Sequence, residues 1–265
     1  MKTISICNQK GGVGKTTTAI NTAAYLAEVG QRVLLVDLDP QGNATSGLGI
    51  DKKTLTLSSY HLLIDQQDPR SIIRPTSVEK LAILPSTIDL TGAEVELVPQ
   101  DRREFRLRER LASLQEAFDF ILIDSPPSLG LLTINGLVAA DRVLIPLQCE
   151  YYALEGLSQL LKTIELVKST LNPSLEVEGI VLTMADHRTN LANEVITEAK
   201  TYFKEKVFNT IIPRSVRLSE SPGFGKPISL YDGTSTGAQR YRALAHELLG
   251  HDTPVVEDQR SLATP

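Results

Sequence analysis

Cysteine and histidine are scarce in this sequence. Only two of the 265 residues are cysteine, Cys7 and Cys149, and four are histidine. Two cysteines cannot build the disulfide framework of a small secreted domain, so we expect an intracellular protein with both thiols buried at strand ends. The histidines lack the spacing of metal ligands, which argues against a zinc site, and the sequence offers no Ser-His-Asp or Cys-His catalytic set.

An excess of positive charge and a long apolar segment are also missing. Lysine and arginine total 27 against 32 aspartate and glutamate, which gives a net charge of -5. Any contact with nucleic acid must therefore come from a local basic patch. No stretch is apolar enough to span a bilayer, and the first apolar run stops at Cys7 before polar Asn8, so it is no signal peptide. We expect a cytoplasmic protein that does not bind membranes.

The sequence does contain a regular succession of short apolar runs and amphipathic segments. The runs are too continuously apolar for strands with one wet face, which is typical of buried parallel strands. This pattern predicts an α/β fold, with a mostly parallel, twisted sheet flanked by helices on both faces. We expect a single domain over residues 1–250 and a disordered tail at 251–265. Predicted strands lie near 3–7, 33–36, 81–84, 120–123, 142–147, 177–183 and 209–212, and predicted helices near 57–64, 153–171, 191–203 and 238–249.

Three stretches give weaker signals. Residues 95–99 cannot be assigned to a helix or a strand. The run DRREFRLRERL over 101–111 mixes charges of both signs at helical spacing, which favours a solvated helix face. Residues 213–228 are polar and rich in glycine and proline, so we expect a long loop, and such loops inside compact domains are more often functional than idle.

The strongest motif is KGGVGKTT at 10–17, directly after the first apolar run. Its glycines lack a Cβ, so the backbone can bring its N–H groups close to an anion. Lys15 supplies a mobile positive charge for the outer phosphates of a nucleotide, Thr16 offers a hydroxyl to Mg²⁺, and a helix starts at the same point. We therefore expect ATP and Mg²⁺ to bind here. The predicted cradle comprises Lys10, Gly11, Gly12, Val13, Gly14, Lys15, Thr16 and Thr17.

Carboxylates follow two of the other predicted strands. Asp37 and Asp39 end the strand at 33–36, and Asp124 ends the strand at 120–123 before a Pro-Pro loop. Ligands of open α/β sheets bind at the carboxyl ends of the strands, so these groups are candidates for holding Mg²⁺ or a water molecule. A single aspartate at such a place is often only a cap, and Asp37 is a candidate for holding its loop. We expect a second switch loop at 124–135.

Gln9 departs from the strict phosphate-loop pattern, which requires glycine there, and Lys10 adds a second lysine before the glycines. With this deviant Walker A motif the sequence resembles the ParA/MinD family of ATPases. The resemblance implies that Lys10 reaches into the nucleotide site of a partner subunit, whereas a lysine in a polar loop is otherwise solvated. It also implies that Asp39 orients the attacking water and contributes to the metal site with Thr16 and Asp124. The adenine base would lie near Pro213, Arg214 and Val216.

The resemblance is greatest to ParA/Soj-type partitioning ATPases and covers residues 2–249, with anchors such as DLDPQGNATSGLG, LIDSPPSL and EYYALEGL. It implies a slow ATPase that dimerises around two ATP molecules, binds double-stranded DNA without sequence preference and is stimulated by a ParB-type partner. The DNA-binding positions that match are Arg188 and Arg217, with Arg214, Lys226 and Arg240 as weaker candidates. Alternatively, Arg188 and Arg217 pair with nearby acids such as Asp186 and Glu220, or Arg217 serves the nucleotide.

Competing functions differ in features that the sequence can show. A MinD-like membrane ATPase would carry a basic amphipathic helix at its C-terminus, but residues 251–265 hold one arginine and three acids. A nitrogenase-iron-protein-like reductase would need cluster-binding cysteines, and Cys7 and Cys149 do not fit that pattern. A nucleotide fold without activity would have lost Asp39 and Asp124. A ParA-like ATPase that positions another cargo stays open, because the partner sets the cargo.

Overall fold

The computed structural model describes residues 1–150, 153–186 and 188–250. Its centre is an eight-stranded sheet in the order β3-β4-β2-β5-β1-β6-β7-β8. All neighbouring strands are parallel except the short edge pair of β3 and β4. The strands are β1 (Lys2–Ile6), β2 (Val33–Asp37), β3 (Arg74–Pro75), β4 (Leu81–Leu84), β5 (Phe120–Asp124), β6 (Arg142–Gln148), β7 (Glu176–Ala185) and β8 (Val207–Pro213).

Helices connect the strands and cover both faces of the sheet. Alternate residues of one strand belong to different core clusters: Leu35 packs with the helices of one face, while Leu34 packs with those of the other. The predicted fold class is therefore confirmed. The helices are α1 (Lys15–Glu28), α2 (Asn43–Gly47), α3 (Ser59–Leu63), α4 (Pro69–Ile72), α5 (Leu90–Glu96), α6 (Arg106–Leu111), α7 (Leu131–Ala139), α8 (Ala153–Thr170), α9 (Asn190–Phe203), α10 (Val216–Glu220), α11 (Ile228–Asp232) and α12 (Thr236–Leu248).

The central strands and the first helix form for reasons visible in the sequence. Every residue of β2 and β5 is buried, as continuous apolar runs predict for strands covered on both faces. The alanines of α1, among them Ala19 and Ala23, are fully buried and let the helix axis approach the sheet closely. The chain turns after α1 at Gly30, whose φ of 100° is in the left-handed region that glycine accepts without strain.

Two predicted loops are partly helical. Residues 131–135 of the expected switch loop belong to α7. The buried side chain of Asn135 holds this helix against the segment before and within α6: its Oδ1 accepts a hydrogen bond from the Leu107 backbone N–H, and its Nδ2 donates to the Arg103 carbonyl. Within 213–228, α10 and a 3-10 turn at Ser221–Phe224 replace the expected irregular loop. The Ser215 hydroxyl caps α10 by accepting from the Leu218 amide.

Two further helices differ from the prediction. The unassigned stretch at 95–99 continues α5, which buries only Leu90, Ala93 and Leu97 and is too short for a clear helical period. The helix predicted from Asp101 starts only at Arg106, because turns occupy the preceding residues. The tail at 251–265 lies outside the described residues. Within the described ranges, no helix combines the length and hydropathy needed to cross a membrane.

Candidate nucleotide and metal site

The carboxyl ends of three adjacent strands bring the predicted site residues together. Asp124 at the end of β5 stands in register with Ile6 of β1 on one side and with Asp37 of β2 on the other. The glycine-rich loop leaves β1 at this edge, and α1 begins at Lys15. The loop and the aspartates therefore occupy one place because the sheet is parallel there.

The backbone of the glycine-rich loop has the curvature of an anion cradle. Gly12 and Gly14 have φ angles of 76° and 87°, in the left-handed region. A Cβ at Gly12 would meet nothing within 4 Å, so the backbone angle and not crowding requires glycine there. The N-terminus of α1 has no side-chain cap, which leaves N–H groups of its first turn available to an anion. The Thr183 hydroxyl fixes the loop by donating to the Val13 carbonyl at 2.9 Å.

Lys15 is the buried cation of the site. Its Nζ curls back over the loop and donates to the Lys10 carbonyl at 3.0 Å. Burial lowers the pKa of Lys15, while the charges of Asp124 and Asp39 oppose that change. An ammonium group has three N–H donors and the Lys10 carbonyl accepts from one of them, so buried Lys15 is placed to bind an anion as well.

Asp124 is the candidate metal ligand with the most unusual surroundings. It is fully buried, and neither carboxylate oxygen has a partner in hydrogen-bond geometry among the described residues. Burial raises its pKa well above the usual range, as does the negative charge of Asp37, although the nearby Thr16 hydroxyl and Lys15 lower it. Burying an unpaired carboxylate is costly, and a divalent cation at this point removes the cost.

Magnesium fits this donor set. Within the described ranges no cluster of three or more histidine, cysteine, aspartate or glutamate side chains could hold a metal on its own. Mg²⁺ is commonly bound by one or two protein oxygens together with water and substrate phosphates. Thr16 and Asp124 supply two protein oxygen donors beside the phosphate cradle, which matches this usual coordination of Mg²⁺.

Asp37 and Asp39 have different surroundings. The carboxylate of Asp37 accepts hydrogen bonds from the backbone N–H groups of Asp39 and Thr45 and from the Thr45 hydroxyl at 2.7 Å. Burial raises the pKa of Asp37 to about 6, and these hydrogen bonds limit the rise. Asp37 therefore holds the loop after β2. Asp39 Oδ1 accepts a hydrogen bond from the backbone N–H of Gln41 at 2.9 Å. Asp39 follows β2 by two residues and so lies near the same edge of the sheet as Asp124.

Lys10 has an intramolecular partner that the sequence did not indicate. Its Nζ donates to Glu150 Oε2 at 2.8 Å, and the two side chains are 40% and 45% exposed. Gln9 binds the same region, because its amide donates to the Gly156 carbonyl and the Gln159 side chain. The residues just before the glycines thus rest against the start of α8. Lys10 and Glu150 are 140 residues apart in the sequence, so no sequence pattern indicates that they form an ion pair.

The proposed adenine-side residues lie at the end of β8. Pro213 closes β8, and the Arg214 amide donates to the Ala185 carbonyl at the end of β7. Thr183 of β7 binds the glycine-rich loop, and β8 is the next strand in the sheet. The carboxyl end of β7 therefore lies beside the cradle, and that of β8 follows it. Val216 begins α10 and is largely exposed.

The candidate DNA-binding arginines are exposed and already paired. Arg188 is 88% exposed and forms a bidentate ion pair with Asp186, whose pKa falls to about 2 because of it. Arg217 pairs with Glu220 and Asp232. The contacts named as the alternative interpretation are therefore present: Arg188 pairs with Asp186 and Arg217 with Glu220.

Two of the weaker candidates lie on segments that follow β8. Lys226 lies between the 3-10 turn at Ser221–Phe224 and α11. Arg240 is on α12, and Glu247 near the end of that helix binds the backbone near the amino end of β8, at Asn209 and Thr210. Arg240, two turns earlier, is consequently closer to the carboxyl end of β8.

The two cysteines are buried, as predicted, and neither forms a disulfide. Burial raises the pKa of Cys7 to about 12 and that of Cys149 to about 11. Both remain protonated thiols at neutral pH, which excludes them as nucleophiles of the site.

Comparison with known proteins identifies the family. Residues 1–177 match the model of the AAA domain family. The chromosome partitioning protein ParA of Myxococcus xanthus is 61% identical over 251 residues, 95% of this chain and 89% of that protein. The sporulation initiation inhibitor protein Soj of Bacillus subtilis is 59% identical over 247 residues, 93% and 98% of the two chains. The structure of cobyrinic acid a,c-diamide synthase from Mycobacterium smegmatis with a bound ATP analog and magnesium is 39% identical, with a TM-score of 0.83 over 96% and 98% of the two chains.

The names of these relatives differ, but their sequence identities show which of them this chain resembles more. The two partitioning proteins are about 20 percentage points more similar to this chain than the diamide synthase is, and they match nearly its whole length. The family inferred from KGGVGKTT and the strand-end aspartates is thus confirmed. This chain belongs to the ParA/Soj family of chromosome-partitioning ATPases.

Proposed function

We propose that this protein is an ATP-dependent DNA-partitioning ATPase, which forms a dimer around two ATP molecules, binds DNA without sequence preference and is stimulated by a ParB-type partner. The observation that carries the proposal is the fully buried, unpartnered carboxylate of Asp124 beside the cradle and Lys15. The relative crystallised with an ATP analog and magnesium supports the choice of ligand. We further propose that residues 1–250 act as one domain in the cytoplasm, associated with the nucleoid.

Each residue of the site has a distinct role in this function. The backbone N–H groups of 11–17 and Lys15 would bind the phosphates, while Thr16, Asp39 and Asp124 would contribute to holding Mg²⁺. Bound Mg²⁺ would neutralise the charge that develops on the phosphate oxygens. Asp39 orients the attacking water, and Asp37 keeps the loop of Asp39 in place through Thr45.

Dimerisation would exchange the partner of Lys10. In the single chain its ammonium group is held by Glu150 in a half-exposed ion pair, and such pairs contribute only about 0–1 kcal/mol. A nucleotide phosphate carries more negative charge than a single carboxylate, so the exchange is expected to be favourable. We expect a slow basal rate, which the ParB-type partner raises.

Binding to DNA would use Arg188 and Arg217, helped by Arg214, Lys226 and Arg240. The chain as a whole is acidic, so one copy binds weakly. Two copies in a dimer double the number of neutralised phosphates, and the slope of log affinity against log salt is about -0.9 per phosphate. DNA binding should therefore appear sharply with ATP.

The central experiment measures magnesium-dependent ATP binding and ATP-driven dimerisation of the parent, Asp124→Asn and Lys10→Ala. We expect Asp124→Asn to lose the effect of Mg²⁺ on ATP affinity, because the amide carries no charge. Lys10→Ala should bind ATP but stay monomeric in light scattering. An Asp124→Asn protein with unchanged magnesium dependence contradicts the metal site, and an ATP-dependent dimer of Lys10→Ala returns this lysine to a solvated role.

The second candidate function is an ATPase of the same kind that positions another cargo. The open choice follows from the sequence, because the cargo is set by the partner and not by the nucleotide site. Identification of the proteins that co-purify with Asp39→Ala and ATP distinguishes the two. Recovery of a ParB-type protein supports partitioning, and its absence together with no ATP-dependent DNA binding contradicts it.

A further inference from the structure

Gln9, which stands where the strict phosphate-loop pattern has glycine, is anchored to α8. Its side-chain amide donates to the Gly156 carbonyl and to Gln159 Oε1, both at 3.0 Å. Helix α8 is itself fixed in the core, because Leu157 and Leu160 are fully buried. The departure from the pattern therefore ties the start of the glycine-rich loop to a rigid element.

Asn8 supplies a second anchor at the same point. This residue is buried, and its Nδ2 donates to the Pro146 carbonyl of β6 at 2.8 Å. Its Oδ1 accepts a hydrogen bond from the Lys10 backbone N–H at 3.0 Å. The side chains of Asn8 and Gln9 thus fix the backbone directly before Lys10, one against the sheet and the other against a helix.

The residues after Lys10 restrain its backbone much less. A Cβ on Gly11 or Gly12 would meet nothing within 4 Å, so both glycines lie in open space. The loop is next held at the Val13 carbonyl. Lys15 Nζ does donate to the Lys10 carbonyl, but under the proposed function that ammonium group must also bind phosphate. The fixed position of Lys10 therefore depends mainly on the two residues that precede it.

A fixed backbone matters because Lys10 has to change its partner. In the single chain its ammonium group is paired with Glu150, and both side chains are partly exposed. If the backbone of Lys10 is already in place, only the side chain has to rearrange when a second subunit arrives. A loose backbone would have to be ordered at the same time, and that loss of conformational entropy opposes association.

We propose that Gln9 is a positioning residue for dimerisation, which holds the backbone of Lys10 so that its ammonium group reaches the partner's phosphate at little entropic cost. This inference rests on the proposed function, since it names a residue that prepares the chain for the ATP-bound dimer. The glycine of the strict pattern would remove the anchor to α8 and add backbone freedom at the same place.

The test compares Gln9→Gly, which restores the strict pattern, with Gln9→Met, which keeps the length of the side chain but cannot donate. Light scattering measures dimer formation against ATP concentration. We expect the half-maximal ATP concentration to rise about tenfold for Gln9→Gly and about threefold for Gln9→Met, because the second variant loses only the hydrogen bonds. Gln67→Gly is the matched control and should behave like the parent. Gln67 lies in the loop between α3 and α4, is exposed, and its side chain has no hydrogen-bond partner among the described residues.

The Lys10→Ala background separates positioning from a general structural role. Because Lys10→Ala is expected to stay monomeric, titration calorimetry on it reports ATP binding without dimerisation. Adding Gln9→Gly to this background should leave ATP affinity within twofold, since the N–H groups of the cradle and Lys15 are untouched. A residue that only supports the fold of the cradle would lower ATP affinity and the melting temperature in both backgrounds.

Each contrary outcome overturns the inference in its own way. Dimerisation of Gln9→Gly at the ATP concentration of the parent means that Gln9 does not position Lys10. Dimerisation at a lower concentration, as expected for Glu150→Gln, means that Gln9 holds the single-chain state instead. Weaker ATP binding in the Lys10→Ala background assigns Gln9 to the cradle. A parent that never dimerises with ATP contradicts the proposed function itself, and this inference fails with it.

Discussion

Two parts of the same sheet edge carry charge in opposite ways. At the ends of β1, β2 and β5, Asp124 is fully buried and without a partner, and Lys15 is nearly buried. At the ends of β7 and β8, Arg188 and Arg217 are exposed and each is paired with an acid. A buried charge without a partner is costly and therefore marks a built binding site, whereas an exposed ion pair exchanges its partner at little cost. The first region is therefore suited to bind one fixed ligand, and the charges of the second region are free to exchange partners.

Lys15→Ala should have the largest effect. Removing this ammonium group leaves Asp124 and the phosphates without their buried cation, and a charged hydrogen bond of this kind contributes about 1.5–3 kcal/mol. We expect ATP affinity to fall by roughly 100-fold, measured by titration calorimetry. Lys52→Ala is the control, since Lys52 only donates to the Gln41 carbonyl at the surface. Unchanged affinity of Lys15→Ala would remove the buried region from nucleotide binding.

Asp39→Ala should separate binding from hydrolysis. The cradle and Lys15 remain, so ATP affinity stays within a few-fold of the parent, while the loss of the group that orients water lowers the hydrolysis rate by about 100-fold. Size-exclusion chromatography with light scattering should show a dimer that persists in ATP. Normal turnover by this variant would exclude Asp39 from the mechanism.

Arg188→Glu and Arg217→Glu test the exposed region. Each reversal loses one phosphate contact and adds repulsion, so we expect DNA affinity to fall about tenfold at fixed salt and the salt slope to shrink by about one unit per contact. ATP binding and dimerisation should not change. Titration of a labelled duplex at several salt concentrations measures both quantities. If both variants bind as the parent does, the basic patch lies elsewhere.

Glu150→Gln should have the smallest effect. The amide removes the charge that holds Lys10 in the single chain, so the dimer should form at ATP concentrations up to about threefold lower, in line with the small free energy of an exposed ion pair. Dimer formation against ATP concentration is the measurement, and Glu155→Gln on α8 is the control. A variant that dimerises less readily would mean that Glu150 supports the dimer instead of competing with it.

The fold and the centre of the site could be predicted from sequence because their signals are local. The runs at 33–36 and 120–123 are apolar on both faces, and the aspartates follow them directly, so a parallel sheet must gather them at one edge. The extent of α7 and α5 could not be predicted in this way. Asn135 is compatible with a loop until its side chain is seen to bind Leu107 and Arg103 in space.

By itself, the sequence determined the phosphate cradle, the strands that end in aspartate and the family. Glycine, lysine and aspartate at these fixed spacings are compatible with few other folds or functions. Only the tertiary structure decided which charges have partners. Asp37 is satisfied by Thr45 and Asp124 is not, Lys10 is held by Glu150, and Glu94 presses against Gly130. These contacts join residues from 8 to 140 positions apart, and no local pattern encodes such pairs because packing alone brings them together.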